Sequence, residues 1–217
     1  MMSLFTQTCS ILLIFIFSSC KKEETDFQLQ GRVTDGRSGQ LIPGAQAEVM
    51  KQIVGGGTFG ATYSTAVSGL SDASGCFSLS WPRENFAALK LKISKNQYIT
   101  NEDELVVSDF DGGQLLTHDM TIFPEAFVQV QIANIGESAV DDEFIFTFTN
   151  AQFDCVCCAN GYKTFEGAAV DTTWQCKLYG DSWLKYQKQV YTAAGDTIVN
   201  DSVWCPAFNT TALTLYY

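Results

Sequence analysis

The chain has 217 residues, of which 24 are Asp or Glu and 13 are Lys or Arg, giving a formal net charge of -11. A polyanion of this kind repels phosphate backbones, so nucleic acid is set aside as a partner. With 46% hydrophobic residues, 13% aromatics and four prolines, most of the chain is expected to fold, and its length suits two domains of ordinary size.

The apolar run from Ile11 to Phe17 is too short to cross a bilayer core of about 30 Å as a helix, and it reads as the h-region of a signal peptide. Phe17-Ser18-Ser19-Cys20, followed by Lys21-Lys22-Glu23-Glu24, resembles a bacterial lipobox. Two features depart from that pattern: Phe17 stands where Leu is usual, and no Lys or Arg precedes the apolar run. The resemblance implies a signal peptide at 1–19, a diacylated Cys20 as the first mature residue, and a lipidated tether at 20–25. Two acyl chains satisfy the requirement for stable anchoring without a transmembrane helix. The expected location is the outer membrane, lipid-anchored, on the cell surface or the periplasmic face. An ordinary secretory signal with an incidental cysteine is the other reading. Lys22-Glu23-Glu24 reads equally well as the export signal of surface-displayed lipoproteins and as a plain polar linker.

Beyond the tether the pattern is strand after strand. Phe27, Leu29, Gly31 and Val33 alternate with Gln28, Gln30 and Arg32, the period of a strand with one buried face. The run Phe77, Leu79, Trp81 and the run Leu89, Leu91, Ile93 repeat it. Turn signals at Asp35-Gly36, Pro43-Gly44 and Asp111-Gly112-Gly113 separate them, as in an all-β sandwich or barrel. A short helix is expected only around Arg83 to Ala88.

Gly31-Arg32-Val33-Thr34-Asp35, Gly39, Leu41-Ile42-Pro43-Gly44-Ala45 and the strand Ala47-Glu48-Val49 look like the opening of carboxypeptidase-regulatory-like domains. Ser71-Asp72-Ala73-Ser74-Gly75-Cys76-Phe77 is similar to that family's Thr-Asp-x-x-Gly-x-Phe hairpin, with Ser71 in place of Thr. The resemblance covers residues 26–123 and implies a transthyretin-like Greek-key sandwich. It implies no activity, since such a fold serves many roles.

A second unit, a Cys-rich β domain at 127–217, is expected after Pro124. Val128, Val130 and Ile132 form its first strand, unless Phe127 to Ala133 belongs to the first sheet. Phe144, Phe146 and Phe148 form the next, followed by strands at Thr172 to Leu178, Leu184 to Thr192, Thr197 to Trp204 and Ala212 to Tyr217. The fold class is therefore all-β, with a second, disulfide-bearing sandwich behind the first.

Cys155, Cys157, Cys158, Cys176 and Cys205 are the disulfide candidates, as suits an exported domain. Spacing leaves their pairing open. If Cys76 is a free core thiol, this odd set leaves one cysteine over. Zinc is disfavoured because Cys155 and Cys157 point opposite to Cys158 along an extended strand and no histidine is close in sequence. Gly55-Gly56-Gly57-Thr58-Phe59-Gly60 matches Gly-x-Gly-x-x-Gly, yet a strand-like run follows where a nucleotide site needs a helix. A loop between strands is expected there. His118 is the only histidine and lacks a recognisable nucleophile motif. Asp109-Phe110-Asp111 and Asp141-Asp142-Glu143 lack the full oxygen series of a calcium loop and read as solvated turns. No catalytic residue, metal or cofactor is therefore assigned. Trp174, Trp183 and Trp204, with Tyr179, Tyr186 and Tyr191, form a possible ligand platform, the competing reading being core aromatics.

Together these readings describe a non-catalytic outer-membrane lipoprotein acting as a binding, adhesion or accessory module. It would meet the membrane through Cys20 and a protein or glycan partner through its sandwiches. Two alternatives remain: a glycan-binding accessory of an outer-membrane transporter, and an enzyme with an unrecognised site in the C-terminal unit.

Overall fold

The computed structural model describes residues 26–55, 58–59, 62–110, 113–135, 142–150, 161–167, 169–192 and 195–217, without side chains at 54–55 and 58–59. The lipobox-like segment 17–20, with Cys20, and the Cys155-Cys157-Cys158 cluster lie outside these residues. In chain order the strands are β1 (Phe27–Asp35), β2 (Gln46–Gly55), β3 (Thr58–Phe59), β4 (Ser64–Leu70), β5 (Cys76–Trp81), β6 (Phe86–Ser94), β7 (Tyr98–Ile99) and β8 (Asn101–Leu105). After a 3-10 turn at Val107–Phe110 come β9 (Leu115–Thr117), β10 (Met120–Ala133), β11 (Glu143–Phe148), β12 (Lys163–Glu166), β13 (Asp171–Tyr179), β14 (Ser182–Thr192), β15 (Gly195–Cys205) and β16 (Thr210–Tyr216). The protein is all-β, and among the described residues no helix is long and apolar enough to cross a membrane.

The first core lies between two layers. One is the sheet β3-β2-β6-β8, with β4 on the outer side of β2; in the other, β5 pairs with one edge of β1 while β9 and β10 take the other edge. Leu29, Val33, Val49, Phe77, Leu79, Leu91, Ile93, Met120 and Ile122 close this core. The alternation read from the sequence places Leu29, Val33, Phe77, Leu79, Leu91 and Ile93 inward.

The two family-like motifs interlock physically. The Asp72 carboxylate accepts from the amides of Ser74 (2.8 Å) and Cys76 (2.9 Å), fixing the hairpin into β5. Gly75 turns it at φ +69°, where a Cβ would also press on Leu41 and Ile42. The buried Ser71 hydroxyl accepts from the Ala45 amide and donates to the Ile42 carbonyl, both at 2.8 Å. One side chain thereby joins the Pro43-Gly44 turn to the Asp72 hairpin, a task for which serine suffices in place of threonine.

Residues 83–85 carry no secondary structure and Phe86 already opens β6, so the short helix expected at Arg83 to Ala88 is absent. Side-chain bonding explains it: the Arg83 guanidinium donates to the Phe110 carbonyl and lies over the Phe27 ring at 4.7 Å. This ties the segment across the core mouth as an extended strap. The Gly-rich segment also differs from a plain loop, because Val54 pairs with Phe59 and Gly55 with Thr58 in a β2–β3 hairpin.

The second core lies between β13-β10-β16 and the sheet β12-β11-β14-β15. It is lined by Val128, Val130, Ile132, Phe144, Phe146, Phe148, Leu184 and Leu215. β10 serves both sandwiches: Met120 to Ile122 pair with β1, Phe123 and Pro124 with β7, and Glu125 to Ala133 with β13. Pro124 is tolerated inside this 14-residue strand because its nitrogen faces the edge shared by β1 and β13, where β1 pairing ends at Ile122 and β13 pairing begins at Glu125. Its missing N–H therefore interrupts no ladder there. The Pro124 carbonyl still accepts from the Gly180 amide at 2.7 Å.

Candidate ligand-binding face

Strand parity decides which aromatics reach solvent. In β14, Leu184 and Tyr186 are buried, so Trp183, Lys185, Gln187, Gln189 and Tyr191 share the opposite, outward face. β15 pairs with β14 without a register shift, setting Trp183 opposite Trp204, Lys185 opposite Ser202, Gln187 opposite Asn200 and Gln189 opposite Ile198. Trp183 and Trp204 are 55% and 42% exposed, their ring centroids 5.5 Å apart with planes inclined by 62°. Each indole thus presents a different orientation to solvent.

A run of hydrogen bonds leads away from this pair along the face. The Tyr191 hydroxyl donates to Gln189 Oε1 (2.7 Å), Gln189 Nε2 to Gln187 Oε1 (2.7 Å), and Gln187 Nε2 to Asn200 Oδ1 (2.9 Å). Asn150 braces the aromatic end from beyond β11. Its Nδ2 donates to the Trp183 carbonyl (2.8 Å) and its Oδ1 accepts from the Lys185 amide (2.7 Å).

Trp174 does not join the expected three-tryptophan platform. It shares the inward parity of Cys176 and Leu178, stacks on Phe165 (6.2 Å, 17°), meets Phe146 edge-on and carries the Lys163 ammonium over its ring at 5.3 Å. Tyr186 is buried, donates to Asp201 Oδ2 (3.3 Å), and its pKa is raised by that burial first and by Asp201 second. Tyr179 packs on Phe123 at the junction of the two sandwiches. Of the six aromatics, Trp183, Trp204 and Tyr191 are therefore brought to one face. Gln187, Gln189, Asn200 and Asn150 were missed, although the first three share sequence parity with the two outward tryptophans.

The cysteines divide. Cys176 is disulfide-bonded, whereas Cys76 and Cys205 are free. Cys205, expected in a bridge, is thus corrected to a free thiol. It is fully buried in the second core with its sulfur 3.8 Å from the Val203 carbonyl, and desolvation raises its pKa. Cys76 is half-buried beside an open cavity of about 320 Å³ also lined by Arg32, Phe77, Thr117 and Asp119.

His118 links the layers of the first sandwich. Its backbone amide donates to the Gln30 carbonyl and its Nε2 lies 3.1 Å from Asp103 Oδ2. It does not line the Cys76 cavity. Asp142 is buried rather than solvated, whereas Asp111, Gly112 and Asp141 fall outside the described residues. Among the described residues no cluster of three or more His, Cys, Asp or Glu forms a metal-ligand set.

No protein-family model matches the chain, and none of the curated proteins does. Solved structures give distant likenesses. The Bacillus anthracis TIE protein is 12% identical over 88% of this chain at a TM-score of 0.37, and a streptococcal ancillary pilin is 9% identical over 89% at 0.31. A candidate adhesin from Bacteroides ovatus is 8% identical over 97% at 0.32. The chain spans 34% of the length of the first, 63% of the second and 98% of the third.

Proposed function

We propose that this chain is a non-catalytic, lipid-anchored binding module of the bacterial cell surface. Cys20 serves as the anchor, the first sandwich is a carboxypeptidase-regulatory-like spacer, and the outward face of β14 and β15 contacts the ligand. The observation that carries this reading is the Trp183–Trp204 pair. Two adjacent indoles held in solvent forgo the burial that favours aromatics in a core, and tryptophan is enriched where partners meet. The continuous β10 suits a rigid spacer holding the face away from the membrane. The first sandwich's named motifs serve hairpins and turns, which is what a spacer requires.

Labelling of cells with a radioactive fatty acid tests the anchor: the wild type takes up label and partitions with membranes, and Cys20→Ala does neither. Protease shaving of intact cells removes the protein if it is surface-displayed. Beads coated with the full chain, scored for attachment to whole bacteria and to mucus, test the binding face. Attachment by the wild type that is lost in Trp183→Ala/Trp204→Ala supports the reading. Attachment unchanged in that variant overturns it.

A further inference from the structure

Resting on that binding face, we infer that its ligand is a soluble, uncharged glycan chain, which stacks sugar rings on Trp183 and Trp204 and lays hydroxyls on the amide track beside them. A pyranose ring has an apolar C–H face and a polar rim, and a neutral polysaccharide repeats both at short intervals. The face offers the matching pair of chemistries in adjacent rows. The indoles supply flat apolar area with low entropy cost. Gln187, Gln189 and Asn200 supply carbonyl acceptors and amide donors already aligned by their mutual bonds. The Asn200 amide spends only its oxygen on Gln187, so its Nδ2 remains available to a hydroxyl.

Charge narrows the ligand class. On a chain of net charge -11, the stretch from Trp183 to Gln189 and from Trp204 to Ile198 carries one outward charged side chain, Lys185. Asp201 lies on the opposite parity, bonded to Tyr186. An anionic glycan would find one cation in a strongly negative surround, and a basic protein would find carboxylates only at the far end of the face, where Asp196 and Glu143 flank Tyr191. An uncharged polyol needs neither. Geometry narrows it further. Crystalline cellulose or chitin presents flat ribbons and requires coplanar rings, whereas these planes meet at 62°. Rings so inclined fit a twisted or branched single chain. At about 3.3 Å per residue, the track from Trp183 to Gln189 runs roughly 20 Å, room for several sugar units.

The detergent-solubilised full chain is titrated with galactomannan, xyloglucan, mixed-linkage β-glucan, mannan and dextran, following tryptophan fluorescence and heat. Binding to at least one is expected, with a fluorescence change. Trp183→Ala and Trp204→Ala should each weaken it tenfold or more, Gln187→Ala/Asn200→Ala severalfold, and Lys185→Ala little. Alginate, heparin, insoluble cellulose and insoluble chitin should not bind. If none of the five neutral polysaccharides binds, or binding survives Trp183→Ala/Trp204→Ala, the glycan inference is overturned. Should bead attachment still depend on the two tryptophans in that case, the face serves a protein partner and the broader reading stands. If attachment is indifferent to them, both readings fall.

Discussion

Asn150 holds the backbone of Trp183 as a neighbouring strand would, donating to its carbonyl at 2.8 Å and accepting from the Lys185 amide at 2.7 Å. β11 ends at Phe148, and the side chain extends its pairing past the final residue. An exposed bond pair of this kind is worth about 1 kcal/mol in stability. Its larger effect should be on the register of the indole. Asn150→Ala should therefore weaken ligand attachment severalfold while lowering the urea midpoint only slightly, and Asn150→Asp, which keeps the acceptor alone, should fall between. Paired attachment assays and urea titrations distinguish this from general destabilisation.

Much of this was legible in strand alternation. The inward sets of β1, β5, β6 and β11 follow from residues such as Leu29, Leu79, Leu91 and Phe146 recurring at every second position. Parity could also have separated Trp174 from Trp183, since Trp174 keeps step with Cys176 and Leu178 while Trp183 keeps step with Lys185 and Gln187. Long-range pairing was not legible. Nothing local to Pro124 reveals that β1 and β16 pair with β10 on either side of it, so the proline read as a boundary. At Arg83 the deciding partner, the Phe110 carbonyl, is 27 residues away, and a helical reading of the local sequence had no access to it.

Gly31 occupies an inward position in β1 because the His118 carbonyl crosses directly over it. A Cβ there would fall inside the space of that carbonyl and of the Phe77 ring. Neither neighbour yields easily: the carbonyl is backbone between β9 and β10, and Phe77 is core. Gly31→Ala should cost at or beyond the upper end of the ~1–3 kcal/mol typical of overpacking. Gly39→Ala is the contrasting control, since no atom lies near its Cβ position and only its φ of +72° is strained. Thermal melts of the two variants should differ clearly, Gly31→Ala melting lower.

Cys205 should be chemically silent in the folded protein. Its sulfur is buried, and desolvation raises its pKa, so thiolate is scarce at neutral pH. Native protein treated with iodoacetamide should be modified at Cys76, which is half-buried, well before Cys205. Labelling of Cys205 should appear only as denaturant unfolds the second sandwich, its onset coinciding with loss of that core. Peptide mapping by mass spectrometry reads both sites at once, and fast native labelling of Cys205 would contradict the packing.

Arg32 and Asp119 form a surface pair, with Nη2 donating to Oδ2 at 2.6 Å and the Arg32 amide donating to Oδ1 at 2.9 Å. The Arg32 hydrogen bond is the main cause of a lowered Asp119 pKa. A carboxylate depressed on folding contributes stability above its unfolded pKa of about 3.9 and loses that contribution as pH falls through the lower folded value. Asp119→Asn keeps the Oδ1 acceptor but removes the charge. The urea midpoint of wild type should exceed that of Asp119→Asn at pH 7, with the gap closing below about pH 4 as Asp119 becomes protonated. Both side chains are exposed, so 1 M salt should narrow the gap at pH 7 through screening over about 3 Å.

The junction between the sandwiches should behave as core rather than linker. Around Phe123 to Glu125, the Arg37 guanidinium donates to the Gly180 carbonyl and covers the Phe123 ring, Tyr179 packs on the same ring, and the amides of Glu125 and Phe208 reach across to Gln97 and Glu125. Gln97, Asp181 and Phe208 adopt positive φ there, a conformation that non-glycine residues keep only when surroundings impose it. Amide exchange at Phe123, Glu125 and Phe127 should therefore be as slow as in Leu91 or Val130, and limited proteolysis should spare the segment. Tyr179→Ala removes the shared ring contact without touching either main core. It should speed exchange at Phe123 and Glu125 selectively, leaving Leu91 protected. Uniformly fast exchange across 123–127 in the wild type would mean that the two sandwiches move independently and that β10 is no rigid spacer.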